Sequence, residues 1–228
     1  MITRHELKFL IHHFDYVSLK HKLKYLLAAD AHSTSQDYTV KSLYFDDIHN
    51  SAYHDKVDGV RDRAKYRIRQ YNHDSSRINL EKKIKQNDRV HKLSSPLTQT
   101  ESRALMQGNY ALCDQDSPLV QAFKTVAKAR HFTPKVIVEY DREAYTFPIN
   151  NIRITFDKRL RTHLHSAALF DTVPGHSVLS PNTLILEIKY DMFLPGFIRT
   201  QFALDARPQL ALSKYVMCRD GILQNKEE

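Results

Sequence analysis

The stretch Arg63–Tyr71, RAKYRIRQY, sets a cation at every second position of a segment whose aromatic and β-branched content suits a strand. Side chains of a strand alternate between its faces, so Arg63, Lys65, Arg67, Arg69 and Tyr71 share one face while Ala64, Tyr66, Ile68 and Gln70 share the other. Same-face cations then repeat at about 7 Å, where two unit charges repel by roughly 2.4 kcal/mol at an effective dielectric of about 20. Two arrangements relieve that cost: a solvated basic face over an apolar core, or a site for a polyanion. One strand does not choose between them.

The same alternation recurs along the chain. RHELKFLI opposes Arg4, Glu6 and Lys8 to Leu7, Phe9 and Ile11, and KSLYFDD opposes Ser42, Tyr44 and Asp46 to Leu43 and Phe45. NLEKKIK carries Asn79, Glu81, Lys83 and Lys85 on its polar face. NIRITFDKRLR sets Arg153, Thr155, Asp157, Arg159 and Arg161 against Ile152, Ile154, Phe156 and Leu160. In LILEIKYD, Glu187 and Lys189 oppose Leu184, Leu186, Ile188 and Tyr190. VIVEYDREAY fits less cleanly, because an unbroken strand sends Glu139 and Arg142 to opposite sides. If these strands share one sheet, their charged faces either all meet water or line the inside of a closed barrel. Glu-x-Lys occurs in three strands, as Glu6/Lys8, Glu81/Lys83 and Glu187/Lys189. Such mixed-sign pairing offsets like-charge repulsion and favours enclosure. Arginine, suited to bidentate phosphate contacts, dominates the remainder.

Helical periodicity falls at about 15–29, 96–107, 117–130, 195–203 and 212–224, between strands at 4–11, 39–46, 62–72, 78–85, 135–147, 152–161 and 184–191. Strands outnumber helices and the order is not βαβ, which predicts an α+β fold: an antiparallel barrel of about eight strands with amphipathic helices packed outside. With 5 glycines, 8 prolines and no internal repeat or low-complexity linker, residues 1–228 read as a single domain. The 42% hydrophobic and 26% charged content is that of a globular chain rather than a disordered one. A net charge of +8 favours anionic partners: nucleic acid, a membrane surface or phosphorylated molecules. Nucleic acid is disfavoured, since the basic faces lack exposed aromatic platforms for single strands. No apolar run suits a signal peptide or a membrane span, and Cys113 and Cys218 form neither a disulfide framework nor a close metal-ligand pair. A cytoplasmic location without an intrinsic membrane segment is therefore expected. The 13 histidines are scattered, without metal-ligand spacing.

The ordered set RHELKF, SLYFDD, RIRQY, LEKKIK, VEYDREAY, RITFD, LILEIKYD and LSKY resembles the vacuolar-transporter-chaperone (VTC) polyphosphate polymerase domain, one of the CYTH-like triphosphate tunnel metalloenzymes, over about residues 4–217. The resemblance implies a basic tunnel in which ATP donates its γ-phosphate to a growing inorganic polyphosphate. It implies phosphate contacts from Lys8, Arg67, Arg69, Lys83, Arg142, Arg159 and Lys189, with Lys65, Lys85, Arg153, Arg161, Lys214, Tyr44 and Tyr71 around them. Glu187, supported by Glu6 and Glu81, would hold Mn²⁺ or Mg²⁺; otherwise Glu187 is an ion-pair partner of Lys189. One departure is visible. Hydrolytic members typically open with Glu-x-Glu-x-Lys, whereas this chain reads Arg4-His5-Glu6-Leu7-Lys8, which favours the VTC type.

Phosphoryl transfer to a phosphate acceptor needs alignment and charge neutralisation more than a nucleophile or base. Tyr44 and Tyr71 are expected to close hydrogen bonds, and Asp46 and Asp157 to orient neighbours or pair with arginines. A tunnel triphosphatase and a non-catalytic polyphosphate-binding module stay open as alternatives. A membrane or regulatory partner would be a separate chain.

Overall fold

The computed structural model describes residues 4–30, 37–87, 89–114, 116–163 and 165–224. In chain order the elements are β1 (His5–His12), α1 (His13–Leu26), β2 (Ala28–Ala29), β3 (Tyr38–Asp46), α2 (Ser51–Val57), β4 (Arg63–Tyr71), β5 (Asp74–Gln86) and β6 (Arg89–Leu97). They continue with α3 (Gln99–Gln107), α4 (Pro118–Arg130), β7 (Thr133–Phe147), β8 (Ile152–His163), β9 (His176–Ser177), β10 (Thr183–Tyr190), α5 (Gly196–Gln201) and α6 (Lys214–Gln224). The fold is α+β, with a large antiparallel sheet and several helices. Among the described residues no helix is long and apolar enough to cross a membrane.

Two compact units make up the chain, each discontinuous in sequence. The first comprises Met1–Tyr38, Tyr140–Leu160 and Leu179–Leu212. Its strand order is β1-β10-β8-β7, with β2 paired to Thr146 and Tyr145 of β7. Lys8 lies opposite Glu187, Glu6 opposite Lys189, and Lys189 opposite Arg153. The apolar alternates Phe9, Ile11, Ile154, Phe156, Leu186 and Ile188 turn the other way, onto Leu19 and Leu23 of α1 and Ile198 of α5. His12 caps α1, accepting from the backbone N–H of Phe14, and Asp15 answers on the His12 backbone.

The second unit comprises Thr39–Glu139, Arg161–Val178 and Ser213–Glu228. Its strand order is β7-β3-β4-β5-β6, and β9 pairs with Arg161 and Thr162 of β8. Arg67 lies between Tyr44 and Glu81, Arg69 between Ser42 and Asn79, and Lys65 opposite Lys83. The alternates Leu43, Phe45, Tyr66, Ile68, Ile78 and Leu80 pack on Ala104 and Leu105 of α3 and on Val120 and Phe123 of α4. Thr98 and Glu101 form a capping box on α3, and Gly108 ends it at φ +76°, a left-handed turn that glycine adopts without a Cβ clash.

In neither unit does the described strand ladder return on itself, so the closed barrel expected from the sequence is not a feature of these pairings. The strand faces also depart from expectation at one point. Arg159 has φ +50°, a left-handed residue inside β8 that interrupts the two-residue alternation. Before it, Asp157 meets Arg142 of β7; after it, Arg161 meets Glu139, which an unbroken β7 turns to its opposite face. Arg159 and Arg161 therefore do not share the face of Arg153, Thr155 and Asp157.

Candidate functional site

In the first unit, β1, β10, β8 and β7 bring the charged alternates together around Glu187. This carboxylate is 4% exposed. It lies 3.2 Å from Lys189, 3.6 Å from Arg142 and 3.8 Å from Lys8. Glu6 shares two of these cations, at 3.2 Å from Lys189 and 3.5 Å from Lys8, whose ammonium also donates to the Leu212 carbonyl. Arg142 is buried and grips Asp157 with two hydrogen bonds of 2.6 and 2.7 Å. Burial works against its charge, but Asp157 and Glu187 more than offset this and hold the guanidinium firmly protonated. Arg153 stands at the edge of the group, on Asp30 at 2.6 Å and on the Tyr38 hydroxyl at 2.9 Å. Arg159 is turned to Asp141 at 2.7 Å.

In the second unit the gathering point is Glu81, 1% exposed. Arg67 binds it at 2.6 Å, Lys92 at 3.1 Å and Arg69 at 3.8 Å. Burial alone would raise this carboxyl's pKa; the three cations, led by Arg67, overcome that and hold it far below the usual range. Tyr44 accepts a 2.7 Å hydrogen bond from Arg67, and Ser42 one of 2.9 Å from Arg69. Tyr71 lies beside Arg69, whose guanidinium is 6.0 Å from the ring centroid. Lys83 stands opposite Lys65 and Lys92, Lys85 opposite Arg63, and Lys214 opens α6.

Asp157 is an arginine partner, whereas Asp46 does something else. Its carboxylate accepts from the backbone N–H groups of Ala52 and Tyr53 at the start of α2 and from the Tyr215 hydroxyl at 2.6 Å. It is a helix-end anchor.

Three groups were missed by sequence reasoning. Lys92 belongs to β6, whose irregular alternation in RVHKLSSPL hides it. Lys41, 1% exposed, lies 3.4 Å from Glu139, which also takes Arg161 at 2.6 Å and His163 at 2.7 Å. In the first unit Glu143 is bound by Tyr16 and Tyr145 at 2.6 Å, Lys158 at 3.1 Å and Lys20 at 3.0 Å. By alternation Glu139 and Glu143 share one face of VIVEYDREAY and Arg142 the other; the split between Glu139 and Arg142 is the one available signal for these buried ionic groups.

Among the described residues no group of three or more His, Cys, Asp or Glu side chains could hold a metal ion. Magnesium-type ions are usually held by one or two carboxylates, with substrate phosphate oxygens and water completing the shell. Glu6 and Glu187, drawn together by their shared lysines, fit that mode; Glu81, gripped by Arg67 at 2.6 Å, fits it less well.

The VTC domain model matches residues 3–221, and the chain belongs to this family. Its fold is similar to that of a candidate adenylate cyclase from Bacillus halodurans, with 9% identity, 93% of this chain and 96% of that chain covered, and a TM-score of 0.54. It is similar as well to the PH1012 protein from Pyrococcus horikoshii OT3 (13% identity, 94% and 98% covered, TM-score 0.50). A candidate adenylate cyclase from Vibrio parahaemolyticus gives 9% identity, 95% and 97% covered, and a TM-score of 0.50. At such identities the likeness is one of fold. No curated protein matches the chain.

Proposed function

We propose that this chain is a cytoplasmic, metal-dependent phosphotransferase that moves the γ-phosphate of ATP onto inorganic polyphosphate. The observation that carries the reading is Glu187 with Lys8, Lys189 and Arg142 within 3.8 Å, in a member of the VTC domain family. Both substrates are polyanions, and the acceptor oxygen is already ionised at neutral pH. The protein's task is then to align donor and acceptor and to neutralise equatorial charge. Lys8, Lys189 and Arg142 do so in the first unit; Arg67, Arg69 and Lys83 bind phosphate in the second. Mn²⁺ or Mg²⁺, held by Glu187 with Glu6, would add charge neutralisation at the transferring group. The closed tunnel that the family resemblance implies belongs to this proposal.

Arg4 favours synthesis over hydrolysis. It stands where hydrolytic relatives are expected to carry a carboxylate, and it is engaged with Asp191 at 3.1 Å. The test is incubation of the purified protein with ATP and Mn²⁺, with polymer, ADP and orthophosphate measured together. Synthesis yields polymer and ADP with little orthophosphate. Stoichiometric orthophosphate without polymer would make the protein a triphosphatase, and binding of polyphosphate without turnover would make it a binding module.

A further inference from the structure

Along the charged face of β4, Arg67 and Arg69 have Glu81, but Lys65 has no such partner. The Lys65 Nζ is buried and makes no hydrogen bond among the described residues. It lies 4.3 Å from the ring centroid of Tyr215. Lys83 faces it across the β4–β5 ladder, and Arg63 precedes it by two residues on the same face. Lys56 of α2 adds a third neighbouring cation, and the Asp46 carboxylate of β3 opposes them. That carboxylate is already engaged by the α2 backbone and by the Tyr215 hydroxyl.

A buried ammonium needs acceptors, and this one lies over the Tyr215 ring face and among cations, with no hydrogen-bond acceptor of its own among the described residues. Burial, followed by repulsion from Arg63, Lys56 and Lys83, pushes its pKa down to about 7, with Asp46 opposing. In the free protein above neutral pH the amine is therefore mainly uncharged. A phosphate oxyanion supplies what is missing, both the acceptor and the countercharge. The residue as a whole is only partly buried, so its flexible stem can bring the amine to an incoming anion.

We propose that a phosphate oxyanion binds at Lys65 together with one proton, taken from solvent onto Nζ, so that anion binding to this face is proton-coupled. The inference rests on the phosphate-binding reading above and adds its regulation by pH. Linkage fixes the sign: binding that raises a group's pKa takes up protons and weakens as pH rises. From about pH 7 upward the dissociation constant should rise, by up to tenfold per pH unit, until the pKa of the complex is reached.

The experiment is titration calorimetry of the full chain with inorganic tripolyphosphate at pH 8, in buffers of different ionisation enthalpy. The Lys65→Arg variant, permanently charged, and the Lys65→Met variant, permanently neutral, are measured alongside. Wild type should take up close to one proton more than either variant, and thermal melts establish that both variants are folded. If wild type binds with the same proton count as the two folded variants, proton coupling at Lys65 is overturned while phosphate binding stands. If wild type does not bind tripolyphosphate, both readings are overturned.

Discussion

Glu187 and Glu81 are two buried carboxylates, each attended by three cations, yet they are held differently. Glu81 is clasped at 2.6 Å by Arg67, which is itself tied to Tyr44. Glu187 meets its cations at 3.2, 3.6 and 3.8 Å, and one of them, Arg142, spends its two short hydrogen bonds on Asp157 instead. A carboxylate locked in a short ion pair organises the arginines around it. A carboxylate held at longer range can exchange those cations for a metal at smaller cost. Under the proposed function, this difference would give Glu81 a positioning role and Glu187 the metal-ligating one.

The sharpest way to break this comparison is to remove the short pairs. Arg142→Met leaves Asp157 buried without its bidentate partner, and Glu81→Gln leaves Arg67, Arg69 and Lys92 facing one another. Each should cost about 3–5 kcal/mol in denaturant unfolding. A loss below about 1 kcal/mol for Glu81→Gln would remove its role as organiser. Glu187→Gln should act on chemistry instead: at least about a hundredfold lower ATP turnover, equivalent to about 2.7 kcal/mol, with a melting shift of only a few degrees.

Acid unfolding probes a third carboxylate. Burial works against the charge of Glu139, but the His163 hydrogen bond, Arg161 and Lys41 bring its pKa down to about 2. A folded-state pKa below the unfolded value of 4.5 gives stability that is complete above about pH 4.5 and is lost as pH falls towards 2. Glu139→Gln should flatten that part of a stability–pH curve. The smallest effect has the opposite sign. Lys65 is a base with a depressed pKa, so the unfolded chain binds its proton more tightly and stability rises between about pH 7 and 10.5. Lys65→Met should therefore stabilise the protein at pH 7 by about 1 kcal/mol, read from the shift of the melting midpoint.

Much of this architecture is legible in the sequence, because period two and charge alternation survive in RHELKFLI, RAKYRIRQY and LILEIKYD. Which strands pair is not legible there: the register that sets Lys8 against Glu187 is seen only in the folded chain. Three kinds of feature are hidden. The seven-residue α2 is too short for a helical period, and β6 contains Pro96 and a mixed pattern. The reversal at Arg159 depends on one backbone torsion that no side-chain pattern announces. Lys41 and Glu139 are nearly 100 residues apart by their numbers, and only the folded chain shows that each buries the other's charge. Strand alternation offers Asp46 only as an orienter or an arginine partner, because its neighbours on α2 and α6 leave no trace in that pattern.

The most direct measurement of the asymmetry is electron paramagnetic resonance of Mn²⁺ added with tripolyphosphate to wild type, Glu187→Gln and Glu81→Gln. The account predicts that Glu187→Gln loses protein-bound Mn²⁺, while Glu81→Gln, where folded, retains it. Retention by Glu187→Gln together with loss by a folded Glu81→Gln would contradict the account and move the metal to the other carboxylate.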